Sequence, residues 1–158
     1  IPGYSDYLHP YDENHLIGIG KDTSENSFGG VSIRGVKLAL FDVSDVNSPK
    51  QLHQEIIGGR GTDSEVLRDH KAFLFDKDRN LLVLPIYFPG ADYYEEGVFQ
   101  GAYVYELTIY GGFDLLGKVE HQDIRRNLYI ENILYTISEN KIQLNSLINL
   151  DKIKELLI

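Results

Sequence analysis

The sequence predicts an all-β chain made of three consecutive four-stranded antiparallel blades, a β-propeller fragment. Three observations predict it. Short runs of Val, Ile, Leu, Tyr and Phe recur about every ten residues, and clusters of Gly, Asp, Asn and Pro separate them. The runs fall into sets of four in meander order. The sets repeat with a period of roughly 40 to 60 residues, a self-similarity that marks propeller blades. A β-sandwich or barrel of about twelve strands would show the same strand spacing. The propeller is favoured because the alignment of sets extends to the loops as well.

The first set places strands at 4–8, 15–20, 36–43 and 50–57. A turn at 9–14 joins the first pair, a polar Gly-rich loop at 21–35 the second, and a turn at 44–49 the third. The second set has strands at 71–76, 80–88, 102–109 and 113–121, with the turn 76–80 matching 12–14 and the loop 89–101 matching 21–35. The third set is shorter: 127–131, 133–138, 141–146 and 153–158, with its long loop reduced to Glu139-Asn140. The stretch 147–157 is the one candidate for a helix. Its apolar residues also fit a turn and a strand, and the repeat needs the strand. The blades then span about 1–58, 59–122 and 123–158.

Composition narrows the partners. At 158 residues, with 42% hydrophobic and 25% charged, the chain can bury a core of ordinary size. A net charge of −9 and a pI near 4.9 repel phosphate backbones, so no nucleic-acid partner is expected. Arg125-Arg126 is too short to make a basic patch. The absence of cysteine excludes disulfides, zinc-thiolate sites and a thiol nucleophile. No apolar run is long enough for a transmembrane helix; 81–86 is among the longest. The chain has no methionine and opens Ile1-Pro2-Gly3-Tyr4, which reads as a segment of a longer protein with no signal peptide of its own. Propellers close with four to eight blades. Three blades alone are therefore expected to self-associate, for instance as two copies closing a six-bladed ring, or to need missing N-terminal blades.

Residues 39–50, Ala-Leu-Phe-Asp-Val-Ser-Asp-Val-Asn-Ser-Pro-Lys, resemble the blade motif of propellers distantly related to WD40 repeats. With 3–11, 59–65 and 69–75 they resemble the C-terminal propeller of a family of predicted secreted proteins from archaea and bacteria. The resemblance is most specific across 1–122. It implies an extracellular or cell-surface location and carries no catalytic residues over.

Several residues are candidates for chemistry. His9 and His70 flank the first strands of two blades at matching places, with Asp69, Asp6 and Glu65 nearby in sequence. Innermost strands line a propeller's channel, so these groups are candidate ligands for a divalent metal. A role in locking the blades together is the plainer reading, because no tight ligand spacing occurs. Residues 76–80 begin like a calcium loop but lack its glycine and closing Glu, which leaves a hairpin turn. The glycine-rich stretch 58–64 lacks the Gly-Lys-[Ser/Thr] ending of a phosphate loop and reads as an inter-blade connection, with Arg60 a candidate partner for Asp63 or Asp69. No nucleophile elbow is present, and catalytic residues are not assigned. The long loop after the second set's second strand gathers Tyr87, Phe88, Tyr93, Tyr94 and Phe99. Aromatic rings on a rigid scaffold suit recognition, so these are the candidate ligand-binding residues. The leading functional expectation is a non-enzymatic scaffold for a protein or glycan. The alternative is a metal-binding module or metal-dependent enzyme.

Overall fold

The computed structural model describes residues 3–25, 27–90 and 97–158. Among the described residues, twelve strands form three separate four-stranded antiparallel sheets. The first holds β1 (Tyr4–Pro10), β2 (His15–Glu25), β3 (Val31–Asp42) and β4 (Lys50–Ile57) in chain order. The second holds β5 (Leu74–Asp76), β6 (Leu81–Phe88), β7 (Phe99–Thr108) and β8 (Gly112–Glu120); the third holds β9 (Arg126–Ile130), β10 (Ile133–Ile137), β11 (Lys141–Ser146) and β12 (Lys152–Leu157). The architecture is all-β and consists of propeller blades. The 147–157 stretch is indeed a turn and a strand.

Three local expectations are corrected. Most of the expected loop 21–35 is a long hairpin: β2 runs on to Glu25 and β3 starts at Val31, with Thr23 paired to Ile33. Thr23, Val31 and Ile33 favour extended backbone and win over the polar composition of the stretch. Strand β5 begins at Leu74, later than position 71, because two single-turn 3-10 helices, Glu65–Leu67 and His70–Ala72, precede it. Ser64 and Asp69 cap them by accepting hydrogen bonds from the N–H groups of Val66 and Lys71. Asn80 lies in the turn, with φ of 53°, and not in β6.

The blades pack through two unlike seams. Strand β6 is covered on both sides, so its alternation sends Leu82, Leu84 and Ile86 toward blade 1 and Leu81 and Val83 toward blade 3. Strand β7 does the same with Tyr103, Tyr105 and Leu107 against Ala102 and Val104. Blade 1 contributes Ile17, Ile19, Val36, Leu38 and Leu40 to its seam, all fully buried. That seam is apolar, and each such side chain is worth about 1.5–3 kcal/mol relative to exposure. The seam between blades 2 and 3 is half polar. Leu134 and Ile124 meet Val104 and Val119 there, but Thr136, Ser138, Gln143, Asn145, Asn127 and His121 are buried alongside them. Most of these groups are bonded: the Gln143 amide donates to the Glu120 carbonyl at 3.0 Å, the Asn145 amide to Leu150 at 2.8 Å and the Asn127 amide to Ala72 at 2.9 Å, which offsets the cost of burying them. The Asn127 Oδ1 is buried with no hydrogen-bond partner among the described residues.

Candidate functional site

A cavity of about 220 Å³ opens where the segment entering blade 2 meets the connection from blade 2 to blade 3. Its walls include Asp63, Glu65 and Arg68 from the entering segment, Tyr87 at the end of β6, Gln100 on β7, and His121, Asp123 and Arg125 from the connection. Local backbone bonds fix each wall. Asp63 and Tyr87 exchange both N–H···O bonds at 2.9 Å, and the Ser64 hydroxyl donates to the Pro85 carbonyl at 2.6 Å, which lays the entering segment along β6. The His121 N–H donates to the Gln100 carbonyl at 3.1 Å, which ties the connection to β7. Asp123 has φ of 54°, a left-handed conformation that Asp and Asn tolerate better than other side chains. Its Oδ1 accepts a hydrogen bond from the Gln100 amide at 2.9 Å.

Charges crossing this mouth join all three blades. Lys21 of blade 1 lies 3.4 Å from Asp63, Asp63 takes Arg68 at 2.7 Å, and Glu65 takes Arg125 at 2.7 Å. Arg126 reaches Asp69 at 2.8 Å. Burial alone would raise the Asp63 carboxyl, but the Arg68 hydrogen bond, the Ser64 N–H and the charge of Lys21 outweigh it and hold it below its ordinary value. The expected Arg60 pairing with Asp63 or Asp69 is thus replaced: Arg68 and Lys21 take the first, Arg126 the second. Arg68 is the residue at the C-terminal end of the Glu65–Leu67 turn, which sets its guanidinium beside Asp63.

His121 forms the inner wall and also borders a second cavity of about 440 Å³ with Gln100, Gln143 and Lys141. Its Nδ1 is 2.7 Å from the Thr136 hydroxyl and its Nε2 is 3.1 Å from the Ser138 hydroxyl. Burial, then the neighbouring charge of Lys141, pushes the imidazole down to about 4, so it is neutral at pH 7. A depressed histidine makes the stability acid-sensitive. The unfolded chain takes up the proton near 6.5 while the folded one does not, so stability is whole above that pH and drains as pH falls toward 4. The loss expected from His121 is about 3 kcal/mol. His9, lowered by burial, works in the same direction. Urea midpoints measured from pH 7 to 4 should fall, and His121→Gln should flatten most of that slope. An unchanged slope in the variant would contradict the assignment.

The sequence-derived candidates are distributed as follows. Tyr87 is 41% exposed and lines the cavity. Phe88 is buried in the blade 1–2 core, whereas Phe99 is only partly buried against that core and also lines the 440 Å³ cavity beside His121. Tyr93 and Tyr94 lie outside the described residues. His9 and His70 both contact Tyr7: the Tyr7 hydroxyl is 2.7 Å from His9 Nδ1, and the His70 ring stacks on Tyr7 at 5.4 Å. His9 also meets Phe73 and Phe75 of blade 2 edge-on. The two imidazoles therefore belong to an aromatic layer between blades 1 and 2. Asp69 is engaged elsewhere, by Lys71 N–H and Arg126. Among the described residues no group of three or more His, Asp or Glu converges as a metal would require. Asp76 accepts from the N–H groups of Asp78 and Arg79 and from the Tyr129 hydroxyl, as a hairpin turn demands.

Sequence reasoning missed His121, Gln100 and Asp123. The only signal was the alternation Leu134-Thr136-Ser138 and Gln143-Asn145, a polar face that reads as solvent-facing.

Against known proteins, the match that decides the family is to a beta propeller domain model, which covers residues 1–150. The chain belongs to the beta propeller domain family. It is similar to an uncharacterized protein of Archaeoglobus fulgidus, with 32% identity over 99% of this chain and 21% of that one. It is also similar to an uncharacterized protein of Methanocaldococcus jannaschii, with 34% identity over 87% of this chain and 18% of that one. The propeller segment thus spans about a fifth of the length of the curated relatives it matches. No solved structure gives a significant match.

Proposed function

We propose that this chain supplies three blades of a non-enzymatic binding propeller. In this reading the propeller works outside the cell, holds a protein or glycan ligand at the mouth of the blade 2–3 seam, and completes its ring with further blades or a second copy. The observation that carries the reading is the 220 Å³ cavity beside the half-exposed Tyr87 ring. Its walls combine an aromatic surface with carboxylate, guanidinium and amide groups from two blades, the mixture that orients a ligand without consuming it. Both nitrogens of His121 are taken by hydroxyls, which suits a wall better than a general base. The extracellular location rests on the resemblance of 3–11, 39–50, 59–65 and 69–75 to secreted propellers.

The test is to probe the chain on glycan arrays and on arrays of secreted-protein ectodomains. Tyr87→Ala and Asp123→Asn are the controls, since both should unfold like the parent: one ring is exposed and Asn accepts the same backbone angles. A ligand lost in both variants is expected. Blank arrays with the assembled ring, or a ligand indifferent to both changes, would contradict the reading.

A further inference from the structure

A groove beside the β2–β3 hairpin shares no lining residue with the seam cavity. The β2–β3 hairpin outruns the rest of its sheet. Strand β3 pairs with β2 through Val31, Ser32 and Ile33, but its ladder with β4 begins only at Val36. The opposite edge of 31–34 therefore has no strand beside it among the described residues. An unpaired edge presents backbone N–H and C=O groups ready to accept another strand. Residues 31–34 line this groove of about 550 Å³ together with Lys21, Arg60 and Gly61.

The groove is cationic in a chain of net charge −9. Lys21, Arg34 and Arg60 line it, with no carboxylate among the lining residues. Lys21 is already engaged by Asp63 and by the Thr62 carbonyl. Arg34 and Arg60 differ from Arg68, Arg125 and Arg126, each of which holds a carboxylate. Arg34 donates Nε to the Ser24 hydroxyl at 2.9 Å and has no carboxylate partner among the described residues, and Arg60 has none either. Val31 and Ile33 add exposed apolar surface beside these charges.

The geometry points to this groove as a docking site for an extended acidic peptide segment, which adds as a strand to the free edge of β3 and sets its carboxylates against Arg34 and Arg60. Main-chain bonds supply affinity in such strand addition, and side chains at alternate positions supply choice of partner. The acidic character follows from charge complementarity: a basic segment would meet two unneutralised guanidiniums.

Fluorescence anisotropy on the 158-residue protein tests it with a labelled, blocked eight-residue peptide alternating Glu with Val and Thr. The acidic peptide should bind. Affinity should fall about tenfold in each of Arg34→Ala and Arg60→Ala, the usual worth of a charge-assisted hydrogen bond. It should also fall with salt, and vanish when alternate backbone nitrogens are methylated, which removes the ladder. Both arginines are exposed, and unchanged urea midpoints in the variants show that the fold is intact. Equal binding of the N-methylated peptide, or full displacement by inorganic phosphate alone, means a small-anion patch and overturns the proposal. So does equal binding of a Lys-for-Glu peptide, or binding of an oligonucleotide in place of the acidic peptide.

Discussion

Leu84→Ala is expected to remove about 3 kcal/mol of stability, within the 2–5 kcal/mol that such truncations cost in a closed core. Leu84 is fully buried at the centre of β6, paired with Tyr103 and turned toward blade 1. Four features make the site unforgiving. The strand is flanked by β5 and β7 in its own sheet and by a blade on each face, so neighbours cannot slide in to fill the cavity. A loss of that size is a large part of the 5–15 kcal/mol that keeps a domain folded. Urea unfolding measures it directly. Leu116→Ala, at a 54% exposed position, should stay within about 0.5 kcal/mol. A Leu84 variant as stable as the parent would mean that blades 1 and 2 do not pack as described.

Gly101→Ala is expected to cost about 3 kcal/mol or more, at the upper end of overpacking effects. A Cβ at Gly101 would sit 2.1 Å from the Val119 carbonyl oxygen and 2.7 Å from the Phe99 ring. The Phe99 ring can turn away, but the Val119 oxygen belongs to the β7–β8 ladder, in which Gly101 pairs with Glu120. The added methyl therefore forces those strands apart at the cavity wall. Gly59 provides the contrast, because nothing lies within 4 Å of a Cβ built there. Gly59→Ala should be neutral or gain a few tenths of a kcal/mol by restricting the unfolded chain. Equal stability of the two variants would contradict the close β7–β8 approach.

Much of the fold was legible because both seams depend on two-residue alternation. Alternating residues of β6 face different blades, and the run Leu81-Leu82-Val83-Leu84 is apolar throughout, as a strand covered on both faces should be. The site was less legible for the same reason turned around. In β10 and β11, and at Ser138 just after β10, the polar residues Thr136, Ser138, Gln143 and Asn145 turn inward toward blade 2, while Ile133, Tyr135, Ile137 and Leu144 turn away from it. Alternation fixes which residues share a face but not which face meets a neighbour. The inward polar set is what positions His121, and no local spacing announces it. Within the aromatic cluster the core takes Phe88, while Phe99 stays partly exposed at a cavity and Tyr87 stays at the surface, a division that the composition of the loop does not announce.

The outward face of blade 3 bears on the proposal that these blades complete a ring with further blades or a second copy. Ile130 and Leu128 on β9, Ile133, Tyr135 and Ile137 on β10, and Ile142 and Leu144 on β11 share one largely apolar face, which also carries Arg126 and Ser146. A surface of that kind drives association when nothing covers it. Light scattering on a sizing column measures this most directly. The expected mass is at least twice 18.0 kDa, the twofold value marking a closed ring of two copies, with ANS binding suppressed on association. A stable, monodisperse species of 18.0 kDa that binds no ANS would contradict it.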